Sequence, residues 1–154
     1  MDFSKTNGTA GHTIPHHLGI TPEIIITKRR SNTGEWYVYS PVMGNTKHMR
    51  LNRTGAEDTA NTIWNNTSPT SSVFTVGTNV DVNTNNDAII AYSFNSVQGY
   101  SKFGSYTGNG NADGPFVYTG FKPAWVMTKR NTDGDESWTI FDNKRNAFNI
   151  VNKR

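Results

Sequence analysis

The sequence has no cysteine, which excludes disulfide frameworks, cysteine zinc sites and thiol nucleophiles. No apolar run approaches the ~18 residues of a membrane span, and the opening MDFSKTNGTAGH is too polar for a secretory signal peptide. Charge is scarce: 18% of residues are charged, against about 25% in ordinary soluble proteins. The formal net charge of +3 is spread thinly along the chain, so a strongly basic nucleic-acid binder and a coiled coil are both excluded. Catalytic patterns are missing as well. There is no G-x-S-x-G and no Ser placed beside a His in a familiar order. Gly108-Asn109-Gly110 lies between β-type runs, with no helix behind it to receive a phosphate. Glu57 and Asp58 are adjacent while Glu23 and Glu35 stand alone, so no pair is set to face across a glycosidic bond.

What the chain has instead is uncharged polarity: Asn, Thr, Ser and Gly make up about two-fifths of its 154 residues. That length implies one domain, or one plus a fragment. The apolar residues gather in short β-branched and aromatic runs: Ile24-Ile25-Ile26-Thr27, Trp36-Tyr37-Val38-Tyr39, Val73-Phe74-Thr75-Val76 and the stretch from Ala88 to Phe94. Phe116-Val117-Tyr118, Ala124-Trp125-Val126-Met127 and Trp138-Thr139-Ile140-Phe141 follow. Turn residues separate them, at Asn32-Thr33-Gly34, Asn85-Asn86-Asp87 and Asp133-Gly134-Asp135. Near-regular strands with turns between them predict an all-β, antiparallel sandwich. One stretch, Thr54 to Ile63, carries Thr54 and Glu57 at capping-box spacing and reads as a helical turn or an ordered loop.

The chain also repeats itself. Residues 19–29 align without gaps on residues 120–130, sharing Gly, Pro, Thr, Lys and Arg, with apolar positions in register between them. After one extra turn residue, Trp36-Tyr37-Val38-Tyr39 matches Trp138-Thr139-Ile140-Phe141, and Phe3 and Gly8 recur as Phe103 and Gly108. The second copy breaks off at Arg154, so the chain holds roughly one and a half copies of a unit about 100 residues long. Each repeated segment reads as a β-hairpin: Gly for the turn, Pro where pairing has not begun, a buried run, then Lys-Arg carrying the strand end into solvent. The expected organisation is a sandwich unit over residues 1–110, with 111–154 the first half of a second copy. The apolar residues of that half copy, Trp125, Val126, Trp138 and Ile140, have to be covered, by the first copy's hairpin or by another chain.

His12, His16 and His17 cluster, yet their spacing fits no metal pattern, no carboxylate lies near in sequence, and the second copy has none of them, so they read as structural or surface residues. Asp133, Asp135 and Glu136 lack the Gly position of a calcium loop and read as a solvated hairpin tip. Lys28-Arg29-Arg30, Lys129-Arg130 and the closing Asn-Lys-Arg read as solvated strand ends, since no nucleic-acid motif accompanies them. Sugar binding combines an exposed aromatic ring with amide and carboxylate groups. Two loops offer that mixture: Trp64 with Asn65 and Asn66, and Tyr106 with Asn109, Asn111 and Asp113. Trp36 and Trp138, kept in both copies at alternating positions, read as core.

The run from Gly99 to Gly110, continued by Asp113-Gly114-Pro115-Phe116-Val117-Tyr118-Thr119-Gly120-Phe121-Lys122-Pro123-Ala124-Trp125-Val126, resembles a repeated β-sandwich domain of structural and tail-associated proteins in marine tailed phages. Segments from His12 to Glu23 and from Thr67 to Gly77 fit the same family. The resemblance implies a sandwich of the concanavalin-like or jelly-roll type, often in tandem, in a virion component without catalytic residues. In such proteins the second copy runs to completion, which implies that this chain is a fragment of a longer reading frame. The expected function is therefore a non-enzymatic virion module (tail, fibre or decoration) built in the reducing bacterial cytoplasm and used outside the cell. The alternative is a carbohydrate-binding module for host surface glycans. Expected partners are other virion proteins, copies of the chain itself, or host surface polysaccharide. No cofactor, metal, nucleic acid or membrane insertion is expected.

Overall fold

A computed structural model describes residues 6–134 and 136–144. Phe3, Asp135 and the closing Asn152-Lys153-Arg154 lie outside them. The described strands are β1 (His12–Pro15), β2 (Ile24–Arg29), β3 (Trp36–Tyr39), β4 (Lys47–Arg50), β5 (Asp58–Thr59), β6 (Val73–Val76), β7 (Ile89–Phe94), β8 (Trp125–Thr128) and β9 (Thr139–Asp142). Two single helical turns, α1 (Asn61–Trp64) and α2 (Val80–Asn83), interrupt them. All described pairings are antiparallel. A five-stranded sheet runs β5-β4-β3-β2-β7, a two-stranded one pairs β1 with β6, and β8 pairs with β9. The fold is an all-β, sandwich-type one, as the run spacing predicts.

The two layers meet over one core. From the large sheet come Ile25, Tyr37 and Tyr39; from the small sheet Ile14, Phe74 and Val76; from the helical turns Ile63, Trp64 and Val82. Burying each such aliphatic or aromatic side chain is worth about 1.5–3 kcal/mol. Tyr39 and Trp64 meet edge-to-face with centroids 5.8 Å apart, the arrangement that ring quadrupoles favour. The other face of the large sheet is covered too. Val38, Met43 and Met49 form a second cluster there, with Ile24, Ile26, Leu51 and Trp138 packed against it.

Local chemistry explains the connections. Gly77 ends β6 where its Cα runs against the backbone of Thr62, so a Cβ there would collide with main chain. Asn79 caps α2, its side chain accepting from the Asp81 N–H at 2.9 Å. Of the helical turn or ordered loop expected from Thr54 to Ile63, both are present: residues 54–57 form a loop and a helical turn begins at Asn61. Glu57 does not close a capping box; it pairs with Lys47 and accepts from Asn131 Nδ2 at 3.1 Å, while Asp58 and Thr59 join β4 as an edge strand. The helical turn in this stretch, α1, is ended by Asn65 in the left-handed region (φ 53°). Phe116-Val117-Tyr118, expected as a strand, is not one. Among the described residues no strand lies beside it to take its backbone hydrogen bonds, and Phe116 is 90% exposed.

Candidate functional site

The second hairpin carries the most unusual surface. In β2–β3 the facing pairs are Ile25 with Tyr39, Ile26 with Val38, Thr27 with Tyr37 and Lys28 with Trp36. In β8–β9 they are Val126 with Phe141, Met127 with Ile140 and Thr128 with Thr139. Aligned residue for residue, the two hairpins share one register. Their surroundings differ. Ile25 and Tyr39 face the core at 0% and 3% exposure, whereas the matching Val126 and Phe141 are each 39% exposed. Trp125 and Ile140 are exposed as well. Among the described residues no strand pairs the outer edge of β8, where β2 is paired by β7 along six residues.

The turn end of this hairpin is anchored on the first unit. Trp138 packs on the outer cluster of the large sheet, and its indole N–H donates to the Arg50 carbonyl at 3.0 Å. The Glu57 N–H donates to the Asn131 carbonyl at 3.0 Å. Lys129 Nζ donates to the carbonyls of Thr54 (2.7 Å) and Glu136 (2.6 Å). Of the two ways expected for covering the half copy, packing on the first unit accounts for Trp138 and leaves Val126, Ile140, Phe141 and Trp125 open.

The glycan candidates separate. Trp64 is 2% exposed and belongs to the core, so it has no face to offer a sugar. The missed signal is that Ile63 and Trp64 sit together on one helical turn and pack inward together. Asn65 and Asn66 both occupy the left-handed region and shape the turn after α1. Tyr106 is exposed, and beyond it Asn109 accepts from the Asn111 N–H at 3.0 Å and Asn111 from the Asp113 N–H at 3.2 Å. These are turn-forming bonds. Among the described residues no hydrogen bond joins this loop to the one after Trp64.

His16 is buried between backbone groups, Nδ1 accepting from the Leu18 N–H at 3.2 Å and Nε2 lying 3.1 Å from the Thr70 carbonyl. That makes Nε2 the protonated nitrogen. Among the described residues no three His, Asp or Glu side chains are placed to hold a metal. The basic strand ends are paired: Arg29 with Asp87, Arg130 with Asp133. The hydrogen bond from the Ser31 hydroxyl, then the Arg29 guanidinium, holds the Asp87 carboxyl below its usual range against the opposing cost of burial. Glu35 is likewise lowered, first by hydrogen bonds from Arg53. Burial pushes the His48 imidazole down, helped by the Arg50 charge, and neither of its ring nitrogens has a hydrogen-bond partner among the described residues.

An all-β, sandwich-type fold whose second hairpin repeats the register of the first, without the first's cover among the described residues, is the class of structure present here. The chain belongs to the family described as Domain of unknown function (DUF7483), which matches residues 2–154 and so spans both hairpins. Searches among curated proteins and among solved structures gave no match.

Proposed function

We propose that the chain is a non-enzymatic structural module of a phage virion, a tail, fibre or decoration component, that joins neighbouring polypeptides through β8–β9. The virion setting rests on the resemblance of residues 99–126 to phage structural domains. The observation that carries the joining role is the open Val126 and Phe141 face, at positions that are fully covered in β2–β3. Contiguous apolar surface of this kind marks interaction sites.

Light scattering behind a sizing column, over a range of concentrations, tests the role. Association that grows with concentration and is abolished by Val126→Ser with Phe141→Ser supports it. A monomer at every concentration, or association indifferent to those substitutions, overturns it.

A second reading, host glycan binding, rests on the exposed Tyr106 ring beside the Asn109 and Asn111 turns. A glycan array tests it: a bound glycan lost in Tyr106→Ala supports it, and an empty array removes it.

A further inference from the structure

The dipeptide Asn-Gly occurs twice in the chain, at Asn7-Gly8 and at Asn109-Gly110. The two sites are built alike. Both pairs are exposed, and both glycines sit in the left-handed region, at φ 74° and 70°. Each asparagine Oδ1 accepts from the N–H two residues on, Thr9 at 2.9 Å and Asn111 at 3.0 Å. Such a bond closes a ring that contains both the amide carbon of the asparagine and the nitrogen of the glycine. The difference lies at that nitrogen. The Gly8 N–H donates to Oδ1 of the buried Asn83 at 3.1 Å, whereas the Gly110 N–H has no hydrogen-bond partner among the described residues. Gly8 also lies against Asn85, whose Cβ would stand 3.4 Å from a Cβ added there; one added at Gly110 would meet nothing within 4 Å.

We infer that Asn109 is a site of spontaneous deamidation, and that Asn7, the same dipeptide in the same turn, is guarded against it by Asn83. The reaction needs only water. The Gly110 nitrogen, unhindered by any Cβ on its own residue, gives up its proton to hydroxide and bonds to Asn109 Cγ. The bond from Cγ to Nδ2 breaks, and ammonia leaves with a proton taken from water. The cyclic imide then adds water. Opening at Cγ gives Asp; opening at the main-chain carbonyl gives isoaspartate, in which the chain runs on through the side-chain carbons. Either product puts a carboxylate into the Tyr106 loop and takes the formal net charge one unit below +3. At Asn7 the first step is opposed. A hydrogen bond to the neutral form disfavours the loss of its proton, and the Gly8 nitrogen reaches Cγ only by breaking that bond. Asn83 holds the Asn7 N–H and the Thr9 carbonyl as well, so the whole turn is tied down.

The test ages the full chain in warm, mildly alkaline buffer and maps its peptides by mass spectrometry, with fragmentation that separates Asp from isoaspartate. In the folded chain Asn109 should convert about tenfold faster than Asn7, the factor that breaking one to two net hydrogen bonds implies. In urea, where Asn83 holds nothing, the two rates should converge. Asn83→Ala should raise the Asn7 rate about tenfold and leave Asn109 unchanged; should that variant not fold, the wild-type comparison still decides. Equal rates in the folded wild type overturn the inference, as does conversion of Asn109 to Asp with no isoaspartate, which bypasses the imide. A gap that persists in urea, or a folded Asn83→Ala chain whose Asn7 stays protected, overturns the guarding role of Asn83.

Discussion

Asn83 should be among the most costly polar residues to remove. It is 1% exposed and makes four side-chain hydrogen bonds: Oδ1 accepts from the N–H of Asn7 (3.2 Å) and Gly8 (3.1 Å), and Nδ2 donates to the carbonyls of Thr9 and Gly77 (both 2.7 Å). The side chain thus ties the N-terminal segment to α2 and to the end of β6. In Asn83→Ala, water can reach Asn7, Gly8 and Thr9, which are exposed, but the buried Gly77 carbonyl loses its partner. Net hydrogen bonds are worth about 0.5–1.5 kcal/mol each and a stranded buried acceptor costs about 1–3 kcal/mol, so the expected loss is about 2–4 kcal/mol. For a domain of this size each kcal/mol lowers Tm by about 2–4 °C, which gives a fall of about 4–16 °C. Urea unfolding should show a lower midpoint with an unchanged slope. A variant within about 0.5 kcal/mol of wild type, the range for neutral surface changes, would refute the assignment of Asn83 as a buried tie.

Trp64→Ala should lower stability by about 3–5 kcal/mol, read by denaturant unfolding; an unchanged midpoint would contradict its place in the core. Gly77→Ala should destabilise through collision with the Thr62 backbone, whereas Gly104→Ala, where the added methyl meets nothing, should be neutral in the same thermal melts. His48 supplies a pH test. Its folded pKa lies below the ordinary value of about 6.5, so the unfolded chain binds the extra proton. Stability should therefore be complete above about pH 6.5 and fall as pH drops below it, by at most about 1.4 kcal/mol per pH unit. Asp87 and Glu35, both lowered, add their losses only below about pH 4. Tm measured from pH 7.5 to 5 should slope in wild type and flatten in His48→Phe, which also removes two buried nitrogens without partners; equal slopes would refute this.

Strand identity is legible because the β-branched and aromatic runs, seven in number, are short and bounded by turn residues. Six became strands in the structure. Phe116-Val117-Tyr118 did not, because a run becomes a strand only when a neighbour takes its backbone hydrogen bonds, and that neighbour is absent from the described residues. Thr54 and Glu57 had the spacing of a cap, but Glu57 is drawn across to Lys47 and Asn131, contacts that depend on β4 and on the second hairpin. The error at Trp64 has the same origin. Polar neighbours in sequence made it look exposed, while the tertiary fold turns it beneath Tyr39. Val126, Trp125, Trp138 and Ile140 were recognisable in the sequence as needing a cover. Phe141 gained meaning only once the register set it against Tyr39.

The joining role is tested most directly by amide hydrogen exchange at the two matched strands, Ile25–Lys28 and Val126–Lys129. In dilute solution β8 should exchange far faster than β2, and its protection should rise as the protein is concentrated into assemblies. Equal protection of the two strands, or β8 protection that does not change on association, would contradict the account.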